Sequence, residues 1–215
     1  MLKRVLSPYT LLNPDKLKVI LSLGFKGYLA EKGWFKAFET KSSVDFNSDP
    51  IPWVTYSFID FIKERITKQH DVFEFGSGNS TLFYSKYANH VSAVEHDQEW
   101  YEKCKNTNLN NTDLIYCALE TGGEYCKSAN TTGKKFHLII VDGRDRVNCC
   151  KQAIQALTVD GVIVLDDSER PKYQEAIHFL KEKGFKHIAF TGMAPGVIYA
   201  KSTSIFYKPA NCMDI

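Results

Sequence analysis

From Asp71 onward, short apolar runs alternate with amphipathic stretches of helical length, the pattern of a parallel sheet covered by helices. Strands are expected at 72–75, 91–95, 114–117, 137–141 and 162–165. After the fourth, Val147, Cys150, Ile154 and Leu157 recur at helical spacing and predict a helix covering one face of the sheet. The next helix has Pro171 near its start and Gly184 just past its end, the usual punctuation. Beyond Gly184 the pattern changes. Segments 186–190 and 204–207 read as strands, and the stretch between them carries Gly192, Pro195 and Gly196 but no helical pattern. Strands joined without a crossover helix run antiparallel. The expected fold is therefore α/β: a Rossmann-like, seven-stranded, mostly parallel sheet with a reversed C-terminal strand and helices on both faces.

The first part of the chain reads differently. Residues 1–69 are expected to form a helical extension and substrate cap within the same domain as a core at 70–215. The apolar stretch 17–29 is broken by Lys18 and Lys26, and it is neither a signal peptide nor a spanning helix. Leu17, Ile20, Leu21 and Tyr28 fall near helical spacing and predict an amphipathic helix packed on the domain, with contact to a membrane surface or a partner as the alternative. Pro50-Ile51-Pro52-Trp53 marks a rigid turn, and Phe58, Phe61, Ile62 and Ile66 form a helical stripe.

A length of 215 residues supports one domain with a full core. A hydrophobic fraction of 44% and a charged fraction of 24% are those of a soluble globular protein. The net charge of +2, with its bases spread along the chain, gives no support for a nucleic-acid partner. Six cysteines without a CxxC pair fit a reducing cytoplasm.

The chemistry begins where the first strand runs into Gly76-Ser77-Gly78-Asn79-Ser80. In an open parallel sheet, ligands bind beyond the carboxyl ends of the strands, and glycines there let backbone N–H groups approach. Gly-x-Gly alone is shared with dinucleotide enzymes and with plain turns. Glu95 ends the second strand, where a carboxylate can accept hydrogen bonds from both hydroxyls of a ribose. Thr81 stands where a pyrophosphate-binding loop has its third glycine, which disfavours NAD.

Glu74, Gly76, Gly78 and Glu95, with the terminal hairpin, resemble class I S-adenosylmethionine (SAM)-dependent methyltransferases. The resemblance implies SAM as cofactor, with Ser77, Asn79, Ser80, His96 and Asp142 also contacting it. It places the adenine near Ala118, Leu119 and Glu120.

Asp142 follows the fourth strand, and Asp166-Asp167 follow the fifth. Both strand ends face one edge of the sheet. Three converging carboxylates repel one another unless a cation joins them, and an oxygen-rich site suits Mg²⁺. Here the chain resembles the metal-dependent sugar O-methyltransferases of the macrocin and novobiocin pathways, which carry Asp-Gly after one strand and Asp-Asp after the next. That resemblance implies Asp142, Asp166 and Asp167 as metal ligands. Arg144 departs from it, standing where an acidic residue is usual, and a guanidinium there can replace the cation or bind an anionic substrate. Helix caps, an Arg–carboxylate network and direct base catalysis are the alternatives. Asp142, Asp166 and Arg144 are the catalytic candidates.

The acceptor, a small molecule or saccharide, is expected to meet Gly33-Trp34-Phe35, the stretch 51–56 and the loop 191–199. The closing Thr203-Ser204-Ile205-Phe206-Tyr207 and Asn211-Cys212 resemble the ends of methyltransferases of surface-glycan gene clusters. An NAD-linked oxidoreductase and a noncatalytic SAM-binding protein are the rival classes.

Overall fold

A computed structural model describes residues 12–105 and 110–215. Its seven strands are β1 (Asp71–Phe75), β2 (His90–Glu95), β3 (Thr112–Tyr116), β4 (Phe136–Val141), β5 (Leu157–Leu165), β6 (Lys186–Gly192) and β7 (Lys201–Tyr207). They form one sheet in the order β3-β2-β1-β4-β5-β7-β6. All neighbours pair in parallel except β7, which runs antiparallel to both β5 and β6. The expected fold class is the one observed.

Among the described residues, α1 (Pro14–Ser22), α2 (Tyr28–Glu31), α3 (Trp34–Thr40) and α4 (Tyr56–Arg65) precede the sheet. Then α5 (Asn79–Tyr87), α6 (Gln98–Lys105), α7 (Glu124–Thr131), α8 (Arg146–Ala153) and α9 (Gln174–Glu182) follow successive strands. Alternation along each strand divides the core into two layers. Phe73, Phe75, Ile139 and Val141 pack with Tyr125, Cys149, Ala176 and Leu180 from α7, α8 and α9. Val72, Leu138 and Ile140 point the other way, toward Phe58, Ile62 and Tyr84 from α4 and α5. Thus α4, from the N-terminal extension, is part of the main core.

Three expectations need correction. Leu157 does not belong to the helix after β4: α8 stops at Ala153, a 3₁₀ turn covers Ile154–Ala156, and Leu157 starts β5. The terminal hairpin is longer than its apolar runs, because Thr191-Gly192 and Lys201-Ser202-Thr203 pair as well. Their polar side chains hide the strand from a hydrophobic pattern. Finally, α1 is not packed on the domain, since it buries none of its residues. Both faces of the sheet are already covered by α3–α5 and α7–α9, which leaves it no apolar surface.

Phe58→Ala removes a fully buried ring from the layer beneath α4. It is expected to cost about 3–5 kcal/mol and to shift a single cooperative urea transition. Loss confined to a separate early transition would show instead that the extension folds apart from the core.

Candidate active site

β1 delivers the chain to Gly76-Ser77-Gly78 at the carboxyl edge of the sheet, and α5 starts directly after it. Gly76 and Gly78 both have positive φ, +97° and +155°, which a side chain would strain. A Cβ on Gly76 would stand 3.3 Å from the Cα of Gly143, so the loop lies against the turn after β4. Trp100 roofs the loop, with its indole N–H donating to the Ser77 carbonyl at 2.8 Å.

Two carboxylates stand behind this loop. Glu74 is 1% exposed and accepts a 2.6 Å hydrogen bond from the Thr81 hydroxyl, which in turn accepts from the Gly78 N–H. Thr81 therefore ties the loop to the strand, a role open to a hydroxyl and closed to the glycine of a dinucleotide motif. Burial raises the Glu74 pKa to about 7 against the hydrogen bonds from Ser80 and Thr81. Glu95 is also buried. One of its oxygens accepts from Ser77 N and Ser77 Oγ, each at 3.1 Å, and the other from the His96 and Asp97 amides at 2.8 and 2.9 Å. These donors hold the first two strand-end loops against each other.

Glu74, Gly76, Ser77, Ser80, Glu95, His96, Trp100, Asp142, Gly143, Arg144 and Arg170 are among the residues lining a cavity of about 480 Å³ beyond the strand ends. A neighbouring cavity of about 210 Å³ shares Ser77, Ser80, Trp100 and Asp142 and adds Lys41, Ser42, Ser43, Trp53 and Asn79. Asp142 is the carboxylate common to both. Ala118 and Leu119 lie after the end of β3, exposed, and line neither cavity.

The three aspartates converge, but protein cations already lie among them. Lys201 Nζ donates to Asp166 at 2.6 Å, contacts Asp167 at 2.9 Å and donates to the Trp53 carbonyl at 3.1 Å, which uses all three of its protons. Arg146 contacts Asp142 at 2.9 Å and Asp167 at 3.3 Å, and its remaining donors reach the carbonyls of Asp142, Gly143 and Asp166. Arg170 closes on Asp167 at 2.8 Å, and the Thr203 hydroxyl donates to Asp166 at 2.7 Å. These carboxylates do not fit a metal ion: the oxygens of Asp166 and Asp167 are committed to ammonium, guanidinium and hydroxyl donors, and Arg146 occupies one oxygen of Asp142. Among the described residues no group of His, Cys, Asp or Glu side chains has the arrangement to hold one.

The aspartates are also unequal. Burial raises Asp166 despite Lys201. For Asp167, the nearby Lys201 ammonium and the two guanidiniums outweigh burial and lower its pKa. Burial and the Asp166 charge raise Asp142 against the pull of Arg146 and Lys201. Of the catalytic candidates, Asp166 is 1% exposed, lies behind Lys201 and lines neither cavity. Its place is that of a counter-ion. Arg144 is exposed on the rim of the larger cavity, and it is Arg146, one position further from Asp142 than a single helical turn of three, that supplies the interior cation.

Lys201, Thr203 and Arg146 were not singled out by the sequence. A usable signal exists: a reversed last strand begins at the edge where the parallel strands end, so its alternate first residues, 201 and 203, face the site. Of the segments expected at the acceptor end, only Trp53 reaches the smaller cavity. Trp34 is buried and donates to the Val197 carbonyl, and the loop after β6 supplies the Pro195 carbonyl that fixes the Trp53 indole at 2.9 Å.

Solved structures share this fold. Rv0187 from MTB, solved with its cofactor bound, matches over 93% of this chain and 99% of that one, with a TM-score of 0.56 at 16% identity. Precorrin-6y C5,15-methyltransferase from Geobacter metallireducens matches over 71% and 87%, with a TM-score of 0.55 at 14% identity. An rRNA methylase from Streptococcus thermophilus matches over 69% and 92%, with a TM-score of 0.50 at 14% identity. No protein-family model and no curated protein matches the sequence. The chain therefore has the Rossmann-like methyltransferase fold.

Two measurements probe the electrostatics. Lys201→Met keeps most of the side-chain volume but leaves Asp166 and Asp167 short of a cation, with an expected cost of roughly 3–5 kcal/mol in urea unfolding. For Glu74, the native pKa of about 7 lies above the ordinary 4.5. Its contribution to stability is thus complete below pH 4.5 and is lost as pH rises through 7. Glu74→Gln should remove a pH-dependent component of about 3 kcal/mol over that window, and an unchanged stability–pH curve would refute the assignment.

Proposed function

We propose that this chain is a SAM-dependent methyltransferase acting on a hydroxyl of a small polar acceptor, a saccharide in particular. The observation that carries this reading is Asp142, which lies at the junction of the larger strand-end cavity and the smaller one beside it. The larger cavity suits the cofactor. Its Gly76–Gly78 loop exposes backbone, Glu95 presents a carboxylate toward a diol, and Glu74 and Asp142 offer negative charge to a sulfonium. Ser77 Oγ, which now donates to Glu95, is a side-chain donor on that carboxylate able to rotate away and leave its place to a ribose hydroxyl. Neighbours of the same fold include a cofactor-bound protein and a methyltransferase of precorrin-6y, which supports the same reading.

When bound, SAM supplies an electrophilic methyl group on a cationic sulfur. What the chain itself must do is hold an acceptor oxygen in line and take its proton. Asp142 is suited to the second task. Its side chain retains 22% exposure, Arg146 orients it, and burial together with the carboxylate of Asp166 behind it raises its proton affinity. Positioning falls to the smaller cavity. At about 210 Å³ it lies below the ~300 Å³ of drug-sized pockets and suits a single ring. Trp53 and Trp100 have their indole N–H groups tied to backbone carbonyls and still keep nearly half their surfaces exposed. Rigid aromatic faces among serine hydroxyls suit a hydroxylated ring.

Isothermal titration is expected to show binding of SAM and of S-adenosylhomocysteine. Only the first carries the sulfonium charge, so its affinity relative to the second should rise as pH increases through 7 and Glu74 ionises. Tight NADH binding in place of both would sink the proposal. Asp142→Asn should keep S-adenosylhomocysteine affinity within a few-fold while lowering turnover of an identified acceptor by roughly 10²–10⁴. Full turnover in that variant would remove Asp142 from the chemistry.

A further inference from the structure

Among the described residues, the segment that leads into the fold finds little protein surface to rest on. Helix α1 buries none of its residues. Leu12, Val19, Leu21, Leu23 and Phe25 are exposed by 76%, 62%, 62%, 46% and 89%. Seven of the sixteen large apolar side chains exposed among the described residues therefore fall within a stretch of 17, from Leu12 to Tyr28. A soluble domain rarely leaves such a concentration to water unless something covers it.

Charge identifies the covering material. On a helix, Leu17, Ile20 and Leu21 share one face, and Lys16 and Lys18 fall on its two borders. That is the position from which a long basic side chain can bury its methylenes and keep its ammonium at a polar headgroup. Lys26 follows next to Phe25. The first 27 residues carry five basic side chains and one acidic, a surplus of four in a chain whose net charge is +2. The body of the protein is therefore slightly acidic and its N-terminal segment strongly basic. Asn13 caps the helix by accepting from the Lys16 amide, and Pro14 opens it, so the start of the helix is specified locally.

We propose that residues 12–28 dock in the plane of an anionic lipid surface, with the Leu17, Ile20 and Leu21 face of α1 and the neighbouring Phe25 in the acyl boundary and Lys16, Lys18 and Lys26 at the headgroups. No helix among the described residues is long and apolar enough to cross a membrane, and this mode requires none. From α1 the chain continues through α2 and α3 directly to Lys41, Ser42 and Ser43 in the wall of the smaller cavity. Docking here therefore anchors the cavity wall to the surface through a short stretch of chain. The inference does not depend on the reaction assigned to the site.

The test is co-sedimentation of the full chain with vesicles. Phosphatidylcholine vesicles containing one quarter phosphatidylglycerol are expected to carry down at least tenfold more protein than pure phosphatidylcholine, with loss of the difference in high salt. Leu21→Asp combined with Phe25→Asp should lower binding to both vesicle types at least tenfold without changing the thermal melting temperature. Lys16→Glu with Lys18→Glu and Lys26→Glu should abolish only the preference for the anionic vesicles. Equal recovery with both vesicle types, or no recovery, overturns the proposal. So does a concentration-dependent dimer in light scattering that Leu21→Asp with Phe25→Asp dissociates while vesicle binding is absent, since the face would then belong to a second copy.

Discussion

Burying two adjacent carboxylates at the end of a central strand is the constraint around which this molecule is arranged. Asp166 and Asp167 are 1% and 5% exposed, and a pair of unneutralised carboxylates at that depth would cost many kcal/mol. Lys201 meets both. Its reach fixes where β7 begins relative to β5, because Leu165 pairs with Ser204 and the strand must extend three residues further to bring the ammonium to the aspartates. Arg146 imposes a similar condition on the other side. It binds three carbonyls and two carboxylates from a single guanidinium, which fixes the turn between β4 and α8. The terminal hairpin and the turn after β4 are thus coupled electrostatically although they lie far apart in sequence.

This explains what the sequence disclosed and what it withheld. The sheet was legible because apolar runs of period two alternate with helical stripes, and the acidic strand ends were legible because strand order sets where they lie. The identity of the neutralising cation was not. Asp142, Asp166 and Asp167 in sequence are compatible with a metal or an arginine, and Lys201 is marked only by its place at the start of a reversed strand that its apolar run does not reach. It precedes Ser202 and Thr203, polar residues outside the strand expected at 204–207, and the three residues 201–203 pair with Gly192, Thr191 and Phe190. Arg144 and Arg146 are equivalent in composition. Only the helical start at Arg146, which turns its side chain back over Asp142, separates the buried cation from the one at the rim. For α1 the helical spacing of Leu17, Ile20 and Leu21 is observed, whereas Tyr28, expected on the same helix, starts α2; amphipathicity does not say what surface a helix meets.

Filling the cation position with protein groups has a consequence for proton chemistry. A metal would lower the proton affinity of every carboxylate around it; a fixed lysine and arginine act unevenly. Asp167, with three cations, is lowered, whereas Asp166 and Asp142 are raised. Neighbouring acids whose proton affinities are pushed apart are a means of assigning separate roles. One stays ionised and holds the cations in place, and another binds a proton more readily than an ordinary carboxylate. Only Asp142 both keeps exposure and borders the cavities, so the asymmetry singles out the residue that geometry does.

The turn next to Asp142 shows how little freedom the site has. A Cβ on Gly143 would stand 2.1 Å from the Tyr125 hydroxyl and 2.9 Å from the Phe75 carbonyl. The Asp-Gly pair after β4 is therefore a packing requirement before it is a functional one: the glycine lets α7 press its tyrosine against the strand end, and this pressure keeps the Asp142 backbone in register with the Gly76 loop. The Gly76 loop, acidic turn and α7 ring thus share one close contact. A larger residue at 143 would have to move all three, whereas substitutions at exposed Arg144 move none, and this places tolerance to change at the rim and rigidity at the junction of the two cavities.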